Sequence, residues 1–346
     1  MKHTHLIVLI CVCFFSCKKN KTVSCSDAKP LHEEAEFKIG AAIDLSLYYA
    51  STAYRNTADR QFNSFTAENA FKPNALHPDL NHFEFALADS FSLACARGGK
   101  RLHGHTLLWH SALPNWILNY QGNEKEWQNL FKQHIQTIMS HFKGRVKAWD
   151  VVNEAFNEDG TLRKSIWLEK LGTAYIEKAF EYAHQADADA LLFYNDYGLE
   201  FNPEKRAAVL SYLNNMRRRG VQVDGIGLQL HISLSYPDIS QINEALQEIS
   251  AYHYQVHLSE VDISINPLNQ TTLNKEKLFE QQAQLAAKLV LAYKQLPNDQ
   301  QYGITFWGFS DAYSWIPTYY GREDYPLLYT GDFQPKPMYC KLKETL

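Results

Sequence analysis

The sequence has no strong excess of either charge. Its 34 Lys and Arg stand against 38 Asp and Glu, a formal net charge of -4. Nucleic-acid binding needs a basic stripe to neutralise phosphates, and this balance provides none. Long apolar runs are also scarce. LIVLICVCFF (6–15) is continuous, but its ten residues cannot cross a hydrocarbon core about 30 Å thick. That excludes a multi-span membrane protein. Six cysteines are present, without C-x-x-C or a Cys/His zinc spacing. The first strand-like run lacks G-x-G-x-x-G, which speaks against a doubly wound dinucleotide fold. There is no repeat, no low-complexity tract and no long linker after residue 37. What remains is 45% hydrophobic and 21% charged residues, the balance of a folded globular chain.

The apolar run has the length of a signal-peptide h-region. Lys2 precedes it, and Ser16-Cys17 then Lys18, Lys19 and Lys21 follow. A small residue directly before cysteine at this place resembles a bacterial lipoprotein cleavage box, although Phe14 stands where Leu is usual. On this reading residues 1–16 are a signal peptide, Cys17 carries lipid, and 17–36 form a polar tether. The protein is then exported and held at a bacterial membrane by its lipid alone. An ordinary secretory signal is the alternative. Cys11 and Cys13 leave with the signal, which leaves Cys25, Cys95 and Cys340. A Cys25–Cys340 bridge joining the termini is an open option. Cys95 lies in an apolar helical pattern and reads as a small buried hydrophobe.

From Phe37 onward, eight short apolar runs alternate with helical patterns. They are 37–44, 64–69, 101–109, 146–154, 190–197, 223–232, 254–263 and 302–309. Between them lie segments such as EWQNLFKQHIQTIMSHF (126–142), with apolar residues three and four apart. Eight strands alternating with helices predict an α/β fold, a single (β/α)₈ barrel over 37–346.

In such a barrel the reacting groups lie at the carboxyl ends of the strands. Here six strand ends carry polar residues that a plain core would not. The second has Glu68, Asn69 and, nearby, Lys72. The third has His105 and Trp109, the fourth Asn153 and Glu154. The sixth has Gln229 and His231, the seventh Glu260 and Asp262. Trp307 ends the eighth, and Trp315 follows. Glu154 and Glu260 form a pair suited to glycosidic cleavage, which needs a proton donor and a facing carboxylate. Strand alternation places Glu260 with Asp262 on one face, and Gln229 with His231 on another. Trp149, Val151 and Val152 predict a dry setting that keeps Glu154 protonated. A carboxylate–imidazole–carboxylate chain through His231 would keep Glu260 ionised.

Six segments carry a family resemblance: WDVVNEAFNEDGTLR (149–163), AENAFKP (67–73), GHTLLWHSALPNW (104–116), GIGLQLHI (225–232), LSEVDI (258–263) and WGFSDAYSW (307–315). Together they resemble glycoside hydrolase family 10, over about Phe37 to Tyr339. Its members are mainly retaining endo-β-1,4-xylanases on a (β/α)₈ fold. The resemblance implies Glu154 as acid/base, Glu260 as nucleophile, and His231 and Asp262 as supports of the nucleophile. It implies Asn153 and Gln229 on hydroxyls of the sugar being cleaved. Glu68, Asn69, Lys72, His105 and Trp109 would line the glycone side, and Trp307 and Trp315 would cover the sugars. The implied partner is xylan or xylo-oligosaccharide, acted on by a monomer without metal or organic cofactor. A β-1,4-glucan or mixed-linkage glucan is the competing substrate, and a non-catalytic glycan-binding lipoprotein the competing class. Ala70, Phe71, Ser259 and Val261 depart from the usual family residues.

Other residues read less sharply. Asn195, Asp196 and Tyr197 border the acceptor side or only pack a loop. Trp116, Trp127 and Trp167 suit core positions, and His103, His134 and His184 structural or exposed ones. The Tyr- and Trp-rich stretch from Phe309 to Gly331 reads as a lid over the glycone sites.

Overall fold

A computed structural model describes Cys25 and residues 29–346. The expected signal peptide and Cys17 fall outside the described residues. Among the described residues nine strands form: β1 Lys38–Ile43, β2 Ser64–Ala67, β3 Arg101–Leu108, β4 Ala148–Asn153, β5 Leu191–Asp196, β6 Gly225–Leu228, β7 His231–Ser233, β8 Gln255–Ser264 and β9 Gln301–Phe306. All pairings between these strands are parallel. The hydrogen-bonded order runs β6-β5-β4-β3-β2-β1-β9-β8, and β6 pairs with β8 to close the ring. This is the (β/α)₈ barrel. Helices cover its outside and side chains fill its inside, so the strands are buried along almost their whole length.

The sixth stave differs from the single run expected over 223–232. It is split into β6 and β7, both paired with β8. Leu230 lies between them at φ 59°, in the left-handed region that costs a branched side chain energy. The break is held from both sides. The Gln229 N–H donates to Asp196 O at 3.1 Å, and its carbonyl accepts Glu260 N–H at 3.1 Å. The kink brings His231 opposite Asp262 in register.

The helix Glu124–Phe142 shows how the outer layer is specified. Asn123 and Glu126 close a capping box at its start. Trp127, Leu130, Phe131, His134, Ile135, Ile138, Met139 and Phe142 form its buried stripe at helical spacing. Phe71 packs on Phe142 and Trp149, with ring centroids 4.9 and 5.7 Å away. That packing accommodates one of the family departures. Trp127 and Trp167 are core residues as expected, and His103 and His134 are buried.

Within the expected 17–36 tether, the described end is docked on the barrel. Leu31–Glu33 forms a 3₁₀ turn, and Leu31 is fully buried. The Leu31 N–H donates to Gln61 Oε1 at 2.9 Å, and the Tyr339 hydroxyl reaches the same oxygen at 3.0 Å. Apolar burial of one leucine and these shared bonds dock the segment onto the barrel. Cys25 is bonded to Cys340, with Cα atoms 5.5 Å apart, so the bridge left open by sequence is present. It joins the amino-terminal segment to the last helix, Pro337–Thr345, which packs on the helix Lys275–Tyr293. Cys95 is buried, and burial pushes its thiol up to about 12.

Replacing Cys25 and Cys340 together by Ser should cost about 2–5 kcal/mol, because the cross-link restricts the unfolded chain. Chemical denaturation measures this directly, and an unmoved midpoint would contradict a stabilising bridge.

Candidate active site

The expected site residues lie toward or just beyond the carboxyl ends of the strands, joined by contacts with one another. Glu260, on β8, is buried. Its Oε1 accepts from Asn195 Nδ2 at 2.8 Å, and its Oε2 lies 3.3 Å from His231 Nε2. His231 Nδ1 lies 2.8 Å from Asp262 Oδ2, and Trp315 Nε1 donates to that oxygen at 2.8 Å. Burial opposes charge on His231, but Asp262 and Glu260 hold the imidazole well above its ordinary range. A doubly protonated ring donates from both nitrogens, which this geometry requires. Burial alone would also raise Glu260. The His231 hydrogen bond, the nearby His105, the His231 charge and the Asn195 amide overcome it and lower the carboxyl below its usual value.

Asn195 is thus part of the site, which corrects its reading as a possible loop-packing residue. Ser259 Oγ donates to Asn195 Oδ1 at 2.6 Å, so the amide nitrogen faces the carboxylate. The hydroxyl at 259 therefore has a task that the family's usual Thr could also perform. Gly227 faces the same amide. A Cβ there would sit 2.1 Å from Asn195 Oδ1, so any side chain would displace the amide.

Glu154 immediately follows β4. Its side chain is mostly buried, as a dry setting requires, but the carboxyl is not left without polar partners. Gln229 Nε2 donates to Oε1 at 3.0 Å, Asn153 Nδ2 lies 3.3 Å away, and His110 Nδ1 is 3.7 Å from Oε2. Burial lowers the pKa of His110, which disfavours a cation beside this carboxyl. The Glu154 backbone is at φ 57°, a strained setting for a non-glycine residue. Its N–H donates to Asn195 O at 2.9 Å, and its carbonyl accepts from Arg163 Nε at 2.9 Å. The carboxamides of Asn153 and Asn195 meet at 2.9 Å. Gln229, Asn153 and Asn195 form a row of amides between Glu154 and Glu260. Two carboxyls with different surroundings are thus linked through neighbouring amides.

The remaining wall is polar below and aromatic above. Lys72 Nζ donates to Asn69 Oδ1 at 2.9 Å and lies 5.4 Å from the Trp109 ring and 6.0 Å from Trp307. Burial pulls Lys72 below its ordinary value against the pull of Glu260, Glu68 and Glu154. Burial lifts Glu68 against Lys72. His105 meets Trp307 edge-on at 5.4 Å, and His231 meets Trp315 edge-on at 5.1 Å. Trp167 donates from Nε1 to Trp109 O at 2.8 Å, a core residue that also fixes a site residue.

Sequence reading missed Asp150. It is buried between His105 Nδ1 at 2.8 Å and His103 Nε2 at 3.0 Å. Burial would raise Asp150, but the two histidines hold it well below the usual carboxylate range. The signal was a charged residue inside an otherwise apolar strand. The segment 309–331 is not a loose cover. Asp324 accepts from Ile265 N–H and Tyr325 N–H, both at 2.9 Å, and from Ser264 Oγ. Buried Lys336 pairs with Asp311 at 2.8 Å.

Paired carboxyls at the mouth of a parallel barrel, bordered by indoles and hydrogen-bonding edges, define a glycoside hydrolase. The family model for glycosyl hydrolase family 10 matches residues 29–345, and the chain belongs to that family. It is 34% identical over 318 residues to endo-1,4-beta-xylanase B of Thermotoga neapolitana, covering 91% of this chain and 90% of that protein. It is 37% identical over 320 residues to beta-1,4-xylanase of Dictyoglomus thermophilum, covering 88% and 87%. Among solved structures, xylanase 10B of Thermotoga maritima superposes with a TM-score of 0.86 at 36% identity, covering 91% of this chain and 96% of that one. Xylanase 10B of Thermotoga petrophila RKU-1, in complex with xylobiose, gives 0.87 at 35%, covering 93% and 98%.

Because His231 helps to hold Glu260 low, His231→Asn should raise the Glu260 pKa. The acid limb of kcat/KM then moves to higher pH, with activity lost earlier as pH falls. An unmoved acid limb would contradict the arrangement.

Proposed function

We propose that the protein is a retaining endo-1,4-β-xylanase. The observation that carries this reading is the contrast between two carboxyls in one network. Glu260 is paired with a histidine cation and kept ionised, whereas Glu154 meets amides and a histidine that burial keeps from charging. Glu260 attacks the anomeric carbon while Glu154 gives its proton to the leaving oxygen. The glycosidic bond breaks, and a glycosyl ester forms on Glu260. Glu154, now a base, takes a proton from water, whose oxygen attacks the same carbon and frees Glu260. Asn153 and Gln229, beside Glu154, contact hydroxyls of the sugar being cleaved. Glu68, Asn69, Lys72, His105 and Trp109 hold the glycone, with Trp307 and Trp315 above it. Xylose lacks the C5 hydroxymethyl of glucose, and indoles over that position exclude the larger sugar by contact. The names of the relatives support xylan over glucan. All of these groups come from one chain, so a monomer suffices.

Location is a second part of the reading. We infer export and lipid attachment at Cys17, supported by the apolar run ending in Phe14-Phe15-Ser16-Cys17. Cys17→Ala should release the protein from the membrane fraction, and fractionation with a labelled fatty acid measures it.

Glu260→Ala should abolish hydrolysis of every substrate. Glu154→Ala should cut kcat on xylan by about 10²–10⁴ but spare bond cleavage in activated aryl xylosides, whose leaving group needs no proton. Equal losses on both would reverse the role assignment. Proton NMR of the first product should show retained configuration at the anomeric carbon. Side-by-side assays should favour xylan over carboxymethylcellulose, and the opposite preference would replace xylan with glucan.

A further inference from the structure

The aromatic surface of the cleft does not stop at Trp315. The short helix Trp315–Tyr320 carries two more rings outward. Tyr319 lies 5.2 Å and Tyr320 5.8 Å from the Trp315 centroid, and they meet each other edge-on at 4.9 Å. Tyr319 is 73% exposed and Tyr320 51%. Other aromatics of this segment make their ring contacts away from Trp315. Tyr329 is buried against Phe309 and Tyr339, and Tyr313 stacks with Phe333. Tyr313 is also 45% exposed, so what sets Tyr319 and Tyr320 apart is their contact with Trp315 and not exposure alone.

The platform is also held in place. Arg322 lies over the Tyr320 ring at 4.3 Å and reaches Asp324 at 3.4 Å and Ser264 Oγ at 3.2 Å. Asp324 is buried and bonded to the backbone just after β8. Trp315 is fixed at its other edge by Asp262. Rings fixed before binding lose little freedom when a ligand packs on them. Pyranose rings present C–H faces to aromatic surfaces, and here the surface begins at the residue assigned to cover the reacting sugars.

We infer that Tyr319 and Tyr320 form a preformed stacking platform for a xylose unit beyond the reacting one. The inference rests on the xylan reading and extends it to longer chains. It assigns the two tyrosines to substrate length selection rather than to bond cleavage.

The test compares xylohexaose with 4-nitrophenyl β-xyloside, whose single sugar reaches no further than the reacting position. Tyr319→Ala with Tyr320→Ala should raise KM for xylohexaose roughly tenfold, the size expected when aromatic contacts are lost. Its kcat/KM on the aryl xyloside should change by less than about twofold. The double Phe variant should restore the xylohexaose KM, because stacking needs the ring and not the hydroxyl. Unchanged KM for xylohexaose overturns the platform. So does an equal loss on both substrates, which places the effect on Trp315 and Asp262. Failure of the Phe variant to restore KM overturns stacking in favour of hydroxyl bonding. Wild-type protein that cleaves the aryl xyloside but no xylo-oligosaccharide overturns the xylan reading itself.

Discussion

One negative charge, kept ionised where water is excluded, sets the terms for the site. An unpaired buried carboxylate costs several kcal/mol, and such a group ordinarily takes up a proton instead. Glu260 avoids this through a cation on one oxygen and an amide on the other. Each partner makes demands of its own. The His231 cation needs Asp262, and Asp262 is shared with Trp315. The Asn195 amide needs Ser259 to orient it and Gly227 to make room. A single electrostatic requirement thus fixes residues on β5, β6, β7 and β8.

The opposite carboxyl is placed by backbone rather than by charge. Glu154 sits in left-handed geometry, at a cost of order 1–3 kcal/mol. Asn195 O and Arg163 grip its peptide groups on either side. Asn195 therefore serves both carboxyls, through its side chain for Glu260 and its carbonyl for Glu154. Asp150, shared by two histidines of β3, places His105 near Glu260 without touching that carboxyl. Burying such a network is favourable only if its members are satisfied together.

Much of this was legible from residue patterns. Strands buried on both faces read as short apolar runs, and eight of them at helical intervals specify a barrel. Polar residues at strand ends were visible because they break those runs. The split at Leu230 was not visible, since its cause is bonding to Asp196 and Glu260, far apart in sequence. The polar partners of Glu154 were hidden for a related reason. Val151 and Val152 are neighbours along the strand, but its carboxyl meets Gln229 and His110 across the cleft. The docking of residues 31–33 was hidden because one buried leucine outweighs the polar character of the segment around it.

The Cys25–Cys340 bond makes the described chain a covalent ring, closed across 315 positions. A protease that cuts any surface loop inside the ring opens it without separating the pieces. The two ends would stay joined beneath the barrel, and a nicked molecule would keep the mass of an intact one until it is reduced. The same proximity of ends would let the polypeptide be rewired, with new termini in a loop and the old ones fused, while the order of staves around the barrel stays as it is.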